Sequence, residues 1–135
     1  MKPVLIRQHV ESAPAGALSA WLEARGLAYE VDRSWLGRPL PDPGDYAFVA
    51  SLGHDRMAGD LHEPAVAAER ELLARAVERD VPVLGLCYGG QVLAAVLGAR
   101  VGPAPDAAST GRHPAARRIS TAMTGRRTHV IIAEA

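Results

Sequence analysis

Residues 81–86, VPVLGL, run for six positions without a polar side chain, and the run ends on Cys87, set among Gly85, Gly89 and Gly90. A strand with one wet face alternates apolar and polar residues. A strand with no alternation is covered on both faces, as parallel strands of α/β sheets are. The following "GQVLAAVLG", residues 90–98, has the composition of a helix. The segment therefore predicts a buried parallel strand, a tight turn at Cys87 and a helix, which excludes an all-helical bundle and a one-faced antiparallel sheet.

The chain before this segment agrees with it. "PVLIR", residues 3–7, is a short β-rich run. Residues 16–25 carry Leu18, Trp21 and Leu22 at helical spacing, and Gly26 is a natural stop. "LAYEVDR", 27–33, alternates and predicts a strand. Residues 34–45 hold three prolines and two glycines and predict a loop. "YAFVASLG", 46–53, predicts a buried strand ending in glycine, and 54–62 another loop. Residues 63–79 predict the strongest helix, with Ala65, Ala68, Leu72 and Ala76 on its apolar face and Glu69, Arg70, Glu71, Glu78 and Arg79 mostly elsewhere. "ARV", from residue 99, is a candidate start of one more strand.

The order β-α-β-β-α-β-α, followed by β, predicts an open, mostly parallel α/β sheet with helices on both faces. Ligands of such sheets sit beyond the carboxyl ends of the strands, and both Gly53 and Cys87 fall there.

The remaining composition narrows the function. At 135 residues the chain suits one domain. Its formal charge of zero gives no argument for nucleic acid or an anionic membrane as partner. One cysteine excludes an internal disulfide and a cysteine metal cluster. There is no clustered set of metal ligands and no Gly-x-Gly-x-x-Gly turn, so no metal or organic cofactor is implied. The N-terminal apolar run is too short for a signal peptide, and no stretch approaches a membrane span; the expected location is cytoplasmic. The charge is uneven: residues 1–102 carry 10 basic and 13 acidic side chains, residues 103–135 carry 5 and 2. Apolar periodicity dissolves at the same boundary. We therefore divide the chain into a patterned 1–102 and an irregular tail, 103–135, in which only "HVIIA" has the look of a strand.

Gly85-Leu86-Cys87-Tyr88-Gly89-Gly90-Gln91 matches a nucleophile elbow with cysteine in place of serine. The turn is tight, so its neighbours must lack bulk. It places the sulfur at a helix N-terminus, where the macrodipole favours a thiolate. It also places the Tyr88 N–H, just after the nucleophile, for an oxyanion hole. The competing reading is a small buried core cysteine whose glycines merely allow close helix–strand packing.

"PVLGLCYGGQVLAAVLGARV" closely resembles the nucleophile segment of class I glutamine amidotransferases, and the resemblance extends over about residues 1–102, including "SLGHD" and the charged helix after it. It implies a flavodoxin-like domain, here incomplete at its C-terminal end. It also implies an activity in which a cysteine thiolate attacks the carboxamide of glutamine, giving a glutamyl thioester and ammonia for a second active site, in some cases on a synthetase partner. By resemblance, Cys87 is the nucleophile, Gly53 and Tyr88 supply oxyanion amides, and Gln91 helps hold the substrate. Gly53 is equally readable as a strand-end turn, and Gln91 as a polar residue in the first turn of a helix.

The family places a His-x-Glu well downstream of the cysteine. Here only His113 and His129 follow Cys87. His113 precedes Pro114-Ala115 and His129 precedes Val130-Ile131, while Glu134 lies five positions past His129. The expectation is a chain cut short or frameshifted, without turnover by itself; alternatively "STGRHP", 109–114, is a degraded form of the family's Glu-x-Gly-Trp segment. His54 reads as a solvated residue at the pocket mouth, with Asp55 directed to the opposite face, and His9 and His62 as ordinary strand-end or loop residues. Two other functions stay open. One is a cysteine-elbow hydrolase of the peptidase-like or chaperone-like flavodoxin-fold type. The other is a non-enzymatic interaction module.

Overall fold

The computed structural model describes residues 1–55, 63–98 and 131–133. Among these residues five parallel strands form one sheet: β1 (Val4–Gln8), β2 (Tyr29–Arg33), β3 (Val49–Ser51), β4 (Val83–Leu86) and β5 (Ile131–Ala133). Their spatial order is β2-β1-β3-β4-β5, the flavodoxin-like arrangement, with the direction of winding reversing between β1 and β3. Among the described residues three helices accompany them: α1 (Gly16–Ala24), α2 (Pro64–Glu78) and α3 (Tyr88–Val96). Ile131–Ala133, the end of the "HVIIA" run, form β5. "ARV", "STGRHP", His62, His113, His129 and Glu134 lie outside the described residues.

The period-two alternation of the strands sorts side chains between two cores. Leu5, Val49 and Val83 face α2 and α3, where they meet Val66, Leu72, Leu73, Val92 and Leu93. Val4, Ile6 and Ala50 face the other way, towards Leu22 of α1. Each fully buried aliphatic side chain contributes about 1.5–3 kcal/mol relative to exposure.

Each helix ends through a residue on the left-handed side of φ. Gly26 (φ 64°) follows α1, as its sequence position predicts, and Gly98 (φ 91°) follows α3. After α2 the position is held by Asp80 (φ 56°). There the Val81 N–H donates to the Ala76 carbonyl at 2.9 Å and the Asp80 N–H to that of Val77 at 3.2 Å, a Schellman closure. Aspartate tolerates this conformation better than most residues because its short side chain can bond locally.

Two strand or helix boundaries and one helix face differ most from the sequence reading. β3 is three residues long rather than eight, because residues 43–45 form a 3-10 turn that delivers the chain late to the sheet. α3 begins at Tyr88, not Gly90. Gly89 and Gly90 lie within its first turn, where their lack of a side chain permits close approach instead of breaking the helix. The buried stripe of α2 is Val66, Glu69, Leu72, Leu73 and Ala76, and Ala65 is exposed. The true face is rotated by about one residue and has a carboxylate at its centre.

Candidate active site at the carboxyl edge of the sheet

Strand register brings Asp32, Arg7, Ser51 and Gly85 into one row across β2, β1, β3 and β4. The row lies on the face that α2 and α3 cover. It is the last layer before the carboxyl edge, and it is polar. Beyond it, the chain delivers His9 from β1, Ser34 from β2, Gly53 and His54 from β3, and Cys87 from β4.

The first three members of the row form a buried charge network. The Arg7 Nε donates to Glu69 Oε2 at 2.9 Å, and a second guanidinium nitrogen pairs with Asp32. Arg7 is 4% exposed and Glu69 is fully buried. Burial alone would lower the guanidinium's pKa, but the Glu69 and Asp32 carboxylates outweigh it and hold Arg7 above its ordinary range.

The second oxygen of Glu69 organises a directed chain of hydrogen bonds. Ser51 Oγ donates to Glu69 Oε1 at 2.8 Å. Its single proton is thereby committed, so Ser51 can only accept from His9 Nε2, 3.1 Å away. This fixes His9 as the Nε2–H tautomer, and its Nδ1 accepts from Ser34 Oγ at 3.3 Å. Burial, partly offset by Glu69, pushes the His9 imidazole down to about 4, consistent with a neutral ring. The unfolded chain binds this proton near the ordinary value of 6.5. The folded state therefore holds fewer protons between about pH 4 and 6.5, and stability falls as the solution is acidified through that window. From pH 6.5 to 5 the expected loss is about 1.5 kcal/mol. Urea unfolding at both pH values measures it, and a His9→Gln variant with the same slope would assign the loss to other groups.

The aromatic surface above this chain joins it to the elbow. His9 and His54 stack at 5.6 Å between centroids, and Tyr88 sets its ring edge-on to both at 5.0 Å. The solvated loop histidine expected at position 54 is not found: its side chain is 9% exposed. Asp55 does reach it, with Oδ1 2.5 Å from His54 Nδ1, because the chain bends here instead of continuing as an extended strand. His9 is likewise no ordinary strand-end residue.

Cys87 stands between β4 and α3 at φ 51°, ψ −113°. A non-glycine residue in this region carries strain of about 1–3 kcal/mol, which the surroundings must hold. They do so by contact. A methyl carbon placed on Gly85 would lie 2.6 Å from Gly90 Cα, and one on Gly89 2.1 Å from the Ser51 carbonyl oxygen. α3 thus rests directly on the sheet, with the Gly89 N–H donating to the Leu52 carbonyl at 3.1 Å. The Gln91 N–H closes the first helical turn on the Cys87 carbonyl at 3.0 Å. Cys87 is part-exposed, Tyr88 is 2% exposed and Gln91 is half-buried. Gly53 comes alongside: a Cβ built on it would be 3.9 Å from that of Cys87. Cys87, Gly53 and Tyr88 therefore converge, with Gln91 one turn along α3.

Sequence reasoning passed over His9, Ser51 and Glu69. His9 had a usable signal, since it follows a strand at the same edge that singled out Gly53 and Cys87. Glu69 had one in Val66, whose bulk marks the inner face of α2 better than Ala65 does.

No group of three or more potential metal ligands occurs among the described residues, and none of their helices is long and apolar enough to cross a membrane. A separate cleft of about 340 Å³ lies against β2, lined by Val31, Asp32, Arg38 and Tyr46 among others, and contains none of the elbow residues.

The family model for class-I glutamine amidotransferases matches residues 58–133, more than half of the chain. The chain is 29% identical over 103 residues to a protein described as glutamine amidotransferase-like, YfeJ of Salmonella typhimurium, covering 73% of this chain and 43% of that one. Among solved structures, a glutamine amidotransferase from Methylobacillus flagellatus is similar with a TM-score of 0.72 and 33% identity, over 78% of this chain and 42% of that one. A glutamine amidotransferase from Thermotoga maritima is similar with a TM-score of 0.66 and 28% identity, over 72% and 43%. The chain therefore spans less than half the length of these relatives.

Proposed function

The chain belongs to the class I glutamine amidotransferase family, and on that premise we propose that its Cys87 elbow carries the glutamine-cleaving half of an amidotransferase reaction. The observation that carries this reading is the strained Cys87 backbone at the β4–α3 junction, held by glycine contacts on both sides with Gly53 alongside. A core cysteine needs neither the strain nor the exposure.

In this reading the Cys87 thiolate attacks the carboxamide carbon of glutamine. The carbonyl electrons move onto oxygen, which accepts from the Gly53 and Tyr88 amides. Collapse of the tetrahedral adduct breaks the C–N bond, and the amine takes a proton and leaves as ammonia, the role of proton donor being the one the family pattern gives to a downstream histidine. Water then cleaves the thioester to glutamate and restores the thiol. Gln91, one turn along α3, helps hold the substrate near the elbow, and the ammonia passes to an acceptor site on a partner or further domain.

The test is intact-mass labelling with a chloromethyl ketone analogue of glutamine. One adduct on Cys87 is expected, formed on the order of 100-fold faster than on a free thiol, because binding converts an encounter into an oriented attack. Glutamine should protect, and Cys87→Ser should abolish the adduct. Labelling no faster than that of a free thiol would instead favour an interaction module.

A further inference from the structure

We propose that Ser51, with Glu69 and His9 behind it, is a positioning residue that sets the separation of the two oxyanion amides. This rests on the reading of Cys87 as the nucleophile. The Gly53 amide belongs to the segment after β3, and the Tyr88 amide to the start of α3. The Gly89 N–H bond to the Leu52 carbonyl joins the two segments, and what stands behind Ser51 sets where that joint sits.

Ser51 is where the two are joined. Its backbone is the surface on which α3 rests, since the Ser51 carbonyl oxygen leaves no room for a side chain on Gly89. The next carbonyl, of Leu52, accepts from the Gly89 N–H at 3.1 Å. Gly53 follows at once. The same Ser51 is tied from below by its 2.8 Å bond to Glu69 of α2 and by the His9 Nε2 at 3.1 Å. His9 in turn meets the Tyr88 ring edge-on at 5.0 Å, so the network touches Tyr88 directly and reaches Gly53 through the chain from Ser51.

The network's charge makes the tie stiff. Glu69 is fully buried and paired with Arg7, so the Ser51 hydroxyl has one strongly preferred direction of donation. Burial alone would be met by any small residue at position 51. The hydroxyl adds a fixed orientation for the segment 51–53, and an oxyanion hole depends on sub-ångström placement of its donors.

Two electrophiles separate this role from a general structural one. A chloromethyl ketone analogue of glutamine presents a carbonyl oxygen to the two amides while the thiolate displaces chloride. Iodoacetamide loses iodide to the same thiolate without needing them. In Ser51→Ala of the full chain, the maximal labelling rate by the chloroketone should fall about 10-fold. Its half-saturating concentration and the iodoacetamide rate should each stay within about twofold. Glu69→Gln keeps the volume but offers one acceptor oxygen where Glu69 has two, so it cannot serve both Ser51 and Arg7 and weakens the tie; it serves if Ser51→Ala does not fold, with a smaller expected loss of about threefold. If the wild-type protein shows no preference for the chloroketone over iodoacetamide, the nucleophile reading fails and this proposal falls with it. If the wild type shows the preference and the folded variant keeps it, the nucleophile reading stands and the positioning role is overturned. Both rates falling together would also overturn it, since that is the mark of a general disturbance.

Discussion

Gly89→Ala is expected to lift α3 from the sheet and to cost about 2–3 kcal/mol. The added carbon would lie 2.1 Å from the Ser51 carbonyl oxygen, 2.5 Å from its carbon and 2.7 Å from Ser51 Cβ. The two closest are backbone atoms, so no change of rotamer relieves the clash; the helix or the strand must move. Overpacking of this kind costs roughly 1–3 kcal/mol or more. The movement also breaks the Gly89–Leu52 hydrogen bond, worth about 1 kcal/mol. Alanine's better helix propensity returns at most about 1 kcal/mol and does not reverse the sign. Thermal unfolding followed by circular dichroism should show a fall in Tm of about 10 °C or more, and preferential labelling of Cys87 should disappear. Gly53→Ala is the internal control for stability, because its added carbon would meet nothing closer than 3.9 Å. A Gly89→Ala protein melting with the wild type would mean that α3 does not rest on Ser51 as described.

The same glycines explain what could be read from the chain and what could not. The strand–turn–helix junction at Cys87 was legible because a non-alternating strand, a cysteine and flanking glycines occur within one continuous segment, so their proximity needs no tertiary information. The strand–helix order was legible for the same reason: periodicity is local, and Gly26 punctuates it. The row Asp32, Arg7, Ser51, Gly85 was not, since its members come from four strands and meet only through register. Register follows from which residues are buried across the sheet, and no single strand contains that. Glu69 was missed through a related weakness. In an alanine-rich helix the choice between faces one residue apart rests on a single Val66, and a carboxylate is by default assigned outwards. Its burial becomes reasonable only once Arg7, more than sixty residues earlier, is known to face it. His54 was misjudged because alternation along an extended chain was assumed to continue past the end of β3, where the backbone bends.

Arg7→Met tests the energetics of that buried row, with an expected cost of about 3–5 kcal/mol. Methionine fills much of the space, so lost volume is a minor term. The major one is electrostatic. Glu69 is fully buried and Asp32 has a 15% exposed side chain; both carboxylates lose their shared cation. Asp32 can recover part of its solvation from the edge of the sheet. Glu69 cannot, and keeps only neutral donors such as the Ser51 hydroxyl. The penalty is thus largely that of a stranded charge, not the net worth of the ion pair, and a double variant separates the two. Arg7→Met combined with Glu69→Leu removes the stranded carboxylate, so it should unfold at a urea concentration between those of the single variant and the wild type, recovering about half of the loss or more. Urea midpoints of the wild type, both single variants and the double variant complete the cycle. Strict additivity of the two single losses would mean that Arg7 and Glu69 do not act as a pair, and the row would then owe its order to backbone packing alone.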